Sequence, residues 1–523
     1  MVASVTKSFT GARVGIAIDR GCPAGVDEPM TAHFQELADQ VQDRRKNSIT
    51  IGQLLQFRAG CPRQEGMAWL YGDHSGAGWS LGEGQHQLRR RPSRAVMHQQ
   101  GRPGWRRLGG QPLLGVLLAC VLAVLAGCGS APPVEYVFQP PEQTEDGLPV
   151  GTLGEVGIDA DLLGRAVDEI RAGRWGEVHS LLLYTDGRLV FEEYFPGHDY
   201  QWDAPDFHGA WTGWDRDTPH NVHSVGKSLT SACVGIAIDE GFITSADEPI
   251  GTYLPGYRRL LIGGKQQITI EDLLTMTSGL AWDEWGTSYD SGENDAIALW
   301  LDCDDPIACV LDKPLVHEPG RTFTYSGGNM VLLGQILKNA SGMDIEEFSA
   351  RYLFEPLGID PPQWARYDNG VVDTNDQRLT PRAMVTIGAT YLDHGNWNGQ
   401  QIIPSEWVAA SAHADTTWTN HLLRPIPPDD NTWGRRGYAY GWWTHEFRKS
   451  GQTVPAFYAW GWGGQEIAVF PDHNAVAVFT GGRYAETSAP AKILGAHVIP
   501  ALLSARTRDQ TLPGQDVGNG EPD

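Results

Sequence analysis

Two rhythms of apolar and polar positions run through the chain after residue 150. A helical recurrence covers Leu162 to Ala172, and strand-like stretches cover His179 to Tyr184 and Arg188 to Tyr194 around an Asp186-Gly187 turn. Ser224 to Glu240 reads as an apolar helix stopped by Gly241, and Glu271 to Met276 opens another. Near the end, Ala456 to Trp460, Glu466 to Phe470 and Ala475 to Phe479 read as strands, the last two joined by the turn Pro471-Asp472-His473-Asn474. Strands at both ends with helices between predict an α+β fold: an antiparallel sheet closed by the N- and C-terminal segments, flanked by helices, with an inserted helical region.

Before this region the pattern changes. Residues 112–127, PLLGVLLACVLAVLAG, are an uncharged apolar run preceded by Arg102, Arg106 and Arg107 and followed by Cys128. Sixteen residues are short for a membrane span and suit the apolar core of a signal peptide. Leu125-Ala126-Gly127-Cys128 resembles the lipobox of bacterial lipoproteins, in which the cysteine is lipidated, so residues 97–128 read as a lipoprotein-type signal peptide starting at Met97. The competing reading is an uncleaved signal anchor; either places everything after residue 128 outside the cytoplasm on a membrane. Residues 129–150 are rich in Pro, Gly and Glu and read as a linker, residues 151–504 as the folded domain, and residues 505–523 as a disordered tail.

The first ninety-six residues contain an internal repeat. Ser4 to Pro29 matches Ser224 to Pro249 at 16 of 26 positions, and Ile49-Thr50-Ile51 echoes Ile268-Thr269-Ile270. Nothing resembling the later motifs follows before the apolar run, so residues 1–96 read as a truncated copy and not as an independent domain.

Charge divides the chain at the same place. Residues 1–127 carry +6 and residues 128–523 carry −30, giving the total of −24. So acidic a domain repels phosphate backbones, which argues against a nucleic-acid partner. The cysteines show no zinc-ligand spacing and no HExxH helix is present, so no metal and no cofactor are expected. Cys303 and Cys309 lie in a loop-like stretch from Leu301 to Asp312, where a small disulfide and two free thiols are both open.

Ser224-Val225-Gly226-Lys227 carries the chemistry. At the start of a helix, residues three apart share one face, which puts the Ser224 hydroxyl and the Lys227 amine within hydrogen-bond reach. The outward N–H groups there stabilise an oxyanion. The positive end of the dipole, together with burial, should lower the lysine pKa, making Lys227 a neutral general base and Ser224 a nucleophile. A helix-capping serine followed by a solvated lysine is the bland alternative.

Further blocks follow in order: His223 to Ser228, Leu273 to Gly279, Pro319-Gly320 leading to Thr324-Tyr325-Ser326-Gly327, Leu332-Leu333-Gly334, and Gly461-Trp462-Gly463-Gly464-Gln465. Over roughly residues 155–500 the chain resembles the serine hydrolases related to class C β-lactamases and D-alanyl-D-alanine carboxypeptidases, and in particular their esterase and 6-aminohexanoate-dimer hydrolase branch. The resemblance implies a Tyr-x-Asn motif whose tyrosine is Tyr325 and whose asparagine position holds Gly327, with Asn329 able to reach inward to the substrate site. It implies a strand motif at Ala459, Trp460 and Gly461, where the family's cationic residue is missing. It pairs the backbone N–H of Trp462 with that of Ser224 as an oxyanion hole. Gly461 and Gly463 would let a substrate approach closely, and Trp285 and Tyr289 would overhang the cleft as substrate contacts. His220 and His223 are given structural roles. The implied activity is cleavage of an ester or amide through an acyl-enzyme. The alternatives are turnover of β-lactams or peptidoglycan peptides, and an inactive binding lipoprotein of the same fold.

Overall fold

In the computed structural model, residues 136–413, 433–485 and 488–509 are described. The chain divides into Met1–Leu113 and Leu114–Asp523, and all described residues belong to the second unit. The truncated repeat, the signal-like run and Cys128 therefore lie outside the described residues. Among the described residues, no helix is long and apolar enough to cross a membrane.

Helix α1 (Ala160–Arg171) is capped by Asp159, whose side chain accepts from the Asp161 N–H. Strands β1 (Val178–Thr185) and β2 (Arg188–Tyr194) form the expected hairpin, with Asp186 and Gly187 both at positive φ as a two-residue primed turn demands. A small hairpin, β3 (Gly197–Tyr200) and β4 (His208–Thr212), and a two-residue strand, β5 (His220–Asn221), lead to helix α2 (Val225–Asp239). The helical region then supplies α3 (Asp295–Leu301), α4 (Pro306–Asp312) and α5 (Gly327–Ser341). It closes with β6 (Trp364–Arg366), β7 (Val372–Leu379), α6 (Pro381–Leu392) and the short hairpin β8 (Asn396–Trp397) and β9 (Gln400–Gln401). The C-terminal part runs through β10 (Trp433–Ala439), β11 (Trp442–Lys449), β12 (Gln452–Gly461), β13 (Gln465–Phe470) and β14 (Ala475–Gly481) to α7 (Ile499–Asp509).

Seven strands make one antiparallel sheet in the order β10-β11-β12-β13-β14-β1-β2. The chain's first strands are thus zipped to its last, Leu182 facing Val478 across the β1/β14 pair. Every residue of β1, β13 and β14 is buried, so both faces of the sheet centre are covered. Helix α6 packs on β13, β14 and β1, while α2 packs on β12, β7 and α5. The antiparallel α+β reading is what the structure shows.

Two boundaries move. Residues 136–150 belong to the domain and are no tether: the Phe138 ring stacks on Phe191, Leu148 is buried, and Arg382 binds the Glu142 carbonyl and the Asp146 carboxylate. Composition signalled a linker, but three apolar side chains within it suffice for docking. At the other end, α7 continues the fold to Asp509, beyond the expected start of the tail at residue 505. Cys303 and Cys309 are joined in a disulfide, and the second half of the expected loop is in fact α4, with Cys309 inside it.

Candidate active site

The chain enters α2 through a strained step. His223 adopts φ 48°, a left-handed conformation costly for a residue with a Cβ, and Ser224 follows at φ −62°. Ser224 occupies the capping position, yet its side chain caps nothing, whereas Ser326 at the start of α5 accepts from the Asn329 N–H. The Ser224 hydroxyl instead accepts a hydrogen bond from Lys227 Nζ at 2.9 Å. Lys227 is 2% exposed, so the solvated-lysine alternative does not describe it. Burial follows from sequence: Val225 to Ala237 are all buried because α2 is wedged between the sheet, β7 and α5.

Three groups surround this pair. The Tyr325 ring centroid lies 4.8 Å from Lys227 Nζ, and the Tyr325 phenol interacts with both Ser224 and Lys227. Trp285 stacks on the Tyr325 ring at 4.6 Å, holding its plane. The third group, Glu284, escaped the sequence reading. Its Oε1 lies 3.8 Å from Lys227 Nζ and accepts from the Tyr289 hydroxyl at 3.1 Å. Its Oε2 accepts from the Gly327 N–H at 2.6 Å and the Trp282 Nε1–H at 2.9 Å. A Cβ on Gly327 would stand 3.2 Å from that Oε2, so the carboxylate occupies the space into which a side chain at position 327 would project. The only hint in the sequence is an acid within the aromatic stretch Trp282 to Asp295, opposite an unusual glycine.

The electrostatics correct the expected charge state. Burial on its own would lower the Lys227 pKa, but its interactions with Tyr325 and Glu284 outweigh burial and raise it. Lys227 is therefore held as an ammonium at rest. Tyr325 is pushed upward by burial, against the pull of Lys227, and rests as a phenol. A helix dipole cannot deprotonate a lysine that has a buried carboxylate for a neighbour.

Ser224, Lys227 and Glu284 open onto a cavity of about 430 Å³ whose lining includes Tyr289, Trp462 and the β7 residues Asp373, Asn375 and Asp376. The β-lactamase family model matches residues 165–494, a span that contains every residue named in this site. The chain belongs to the β-lactamase family. Esterase EstB of Burkholderia gladioli is 31% identical to it over 150 residues, which are 28% of this chain and 38% of that esterase. A protein of Alkalihalophilus pseudofirmus is 24% identical over 327 residues, 57% of this chain and 82% of that protein. Among solved structures, a Bacillus anthracis protein assigned as a 6-aminohexanoate-dimer hydrolase shares the fold, with a TM-score of 0.51 at 18% identity, covering 73% of this chain and 90% of that one.

Within this β-lactamase-family domain the remaining expected residues divide. Tyr289 lines the cavity and stacks on Trp462 at 4.9 Å. Trp285 sits behind Tyr325 and is absent from the cavity lining. Asn329 does not reach the site: it is fully buried, accepting from Ser278 Oγ at 2.9 Å and donating to the Leu273 carbonyl, because its place one turn into α5 points it at the segment after Ile270. Gly461 and Gly463 make room for the protein and not for substrate. A Cβ would meet the Val222 carbonyl at 2.2 Å in the first case and the Tyr484 ring at 2.6 Å in the second. The end of β12 thus presses on the segment leading into Ser224, and Ala459 lies buried within the sheet opposite Ile467. His223 lines the cavity, its pKa lowered by burial and the Lys227 charge to about 3, so it is a neutral imidazole at physiological pH. One group of possible metal ligands exists among the described residues, Glu177, His198 and His208. His198 Nδ1 pairs with Glu177 at 2.7 Å, and His208 Nε2 with the Gly482 carbonyl at 2.8 Å.

Asp373 and Asp376 also went unread, since nothing in the polar run Val372 to Leu379 marks a buried site. Burial raises both pKa values to about 6, and Asp376 adds its charge against Asp373. A carboxyl whose folded pKa exceeds its unfolded value near 4 contributes stability that is full below pH 4 and lost as pH rises through 6. Asp373→Asn is therefore expected to stabilise the fold at pH 7.5 by up to about 3 kcal/mol, from the roughly two-unit shift. Urea unfolding at pH 7.5 and pH 4 checks this: the gain should vanish at the lower pH.

Proposed function

We propose that this protein is a serine hydrolase that cleaves an ester or amide through an acyl-enzyme on Ser224. The observation that carries the reading is the 2.9 Å bond between Lys227 Nζ and Ser224 Oγ, inside a buried site with Glu284 and Tyr325. Ser224 Oγ bonds to the substrate carbonyl carbon while its proton passes to Lys227, which hands one of its own to Glu284. The ammonium is thereby restored. Collapse of the tetrahedral adduct expels the alcohol or amine, protonated by Tyr325, which regains a proton from Lys227 as Glu284 returns its own. Water then attacks the ester by the same route in reverse. The backbone N–H groups of Ser224 and Trp462 form the oxyanion hole, each worth a few kcal/mol of barrier.

The likeness to an esterase, in a chain that spans 38% of that enzyme, supports ester substrates. The disulfide supports an extracytoplasmic enzyme, tethered to the membrane through Cys128. Buried Ala459 supplies no cation for a substrate carboxylate, which disfavours β-lactams and peptidoglycan peptides. A panel of p-nitrophenyl esters, short amides and a chromogenic β-lactam, with Ser224→Ala as control, tests the reading. Ester or amide turnover should fall by roughly 10⁴-fold in the variant. Equal rates in both proteins would refute it.

A further inference from the structure

Beyond the bond it breaks, the cavity carries a signature of what it admits. Its walls are aromatic, with Tyr200, Trp202, Tyr289, Trp300, Tyr367 and Trp462 in the lining. Its charged lining is a single lysine, Lys227, against three carboxylates, Glu284, Asp373 and Asp376. Lys227 and Glu284 form a pair, which leaves the two aspartates of β7 in excess.

Among the described residues, no lysine or arginine forms an ion pair with either aspartate. The nearest arginine on the same strand, Arg378, is turned to Asp199 at 3.1 Å and to the Pro219 carbonyl. Asp376 is 25% exposed, and its Oδ2 accepts from Asn221 Nδ2 and lies 3.7 Å from Nδ1 of the neutral His223, whereas its buried Oδ1 has no hydrogen-bond partner. Nε2 of the nine-tenths-buried His223, in the same lining, is unpartnered too. Asp373 is held by the Asn375 N–H and amide and by the Tyr367 phenol, so its carboxylate is oriented without being neutralised. Strand β7 lies close to the nucleophile: a Cβ on Gly226, in the first turn of α2, would stand 2.9 Å from the Asn375 carbonyl. Unpaired carboxylates in an apolar wall cost stability and persist where a ligand offsets them.

We propose that the cavity selects substrates bearing a cationic group, a primary or quaternary ammonium, held between Asp373 and Asp376 and the aromatic walls. Aromatic faces and carboxylates both attract such a cation, and a hydrated anion gains from neither. The proposal names the substrate class of the hydrolase reading above and rests on it for catalysis, though not for binding.

The test compares choline with its uncharged carbon isostere, 3,3-dimethylbutanol. Each is used to protect Ser224 of the whole protein from a fluorophosphonate, and their butyrate esters are compared as substrates. Choline should protect at a concentration roughly tenfold lower than the isostere, and its ester should show a kcat/KM roughly tenfold higher. Asp376→Asn should bring both ratios close to one, and since each ratio is taken within one protein, a change in its overall activity cancels. Calorimetric titration of choline into the wild type and into Asp376→Asn reads binding with no chemistry. If Ser224 is never labelled, the hydrolase reading fails, and calorimetry alone decides this proposal. Equal protection by the two alcohols, or choline binding unchanged in Asp376→Asn, overturns it.

Discussion

Replacing Lys227 with methionine is expected to lower kcat/KM for an activated ester by roughly 10³- to 10⁴-fold, the range of a lost general base. The same change should destabilise the fold, because Glu284, 3% exposed, would keep a buried charge with no cation beside it. Breaking one side of a buried pair costs about 3–5 kcal/mol. Adding Glu284→Gln removes that charge, so the double variant should regain most of the stability and none of the activity. Denaturant unfolding and ester kinetics on the three proteins separate the two effects. A single variant that stays as stable as the wild type would show that Lys227 and Glu284 are not coupled.

Glu284→Gln alone produces the second large effect. Glutamine can still accept from the Gly327 N–H and the Trp282 indole, so the loop should hold, but it cannot take a proton from Lys227. The lysine must then lose its own proton before Ser224 can attack. In the wild type Glu284 takes that proton during the attack, so the ammonium can stay in place at rest. The acidic limb of the kcat/KM profile should therefore move to higher pH in the variant. Activity near pH 6.5 should fall by roughly 100-fold and recover in part as the pH is raised. A uniform loss at every pH would assign Glu284 a purely structural role.

Much of this site could be read without coordinates, and what could not has a common cause. The β1/β2 hairpin, α2 and strands β12 to β14 announced themselves because their signals are local: an Asp-Gly turn, an apolar helix beginning at a serine, short apolar runs broken by Pro-Asp-His-Asn. Ser224 and Lys227 share one helical turn, so spacing alone set their contact. Tyr325 followed from the blocks that resemble a family.

Glu284, Asp373 and Asp376 belong to the opposite case. Glu284 meets Lys227 across 57 residues of chain and Gly327 across 43, through a stretch with no periodicity. Because this partner was invisible, the Lys227 charge state was read with the wrong sign: burial and dipole were legible, the counter-charge was not. The same blindness sent Asn329 toward the cavity, since it follows the motif's vacant asparagine position by two residues, but the side chain lies on the face of α5 that meets Ser278. The supposed linker fails differently. Its Pro, Gly and Glu content is that of a tether, yet Tyr136, Phe138 and Leu148 find a groove on the sheet that composition cannot reveal.

Mass spectrometry of the protein after brief exposure to a fluorophosphonate at pH 8 tests the central claim most directly. One adduct is expected, located by digestion on Ser224, absent in Ser224→Ala and formed at least a hundredfold more slowly in Lys227→Met. A folded wild-type protein that takes up no label, or takes it up on another residue, would contradict it.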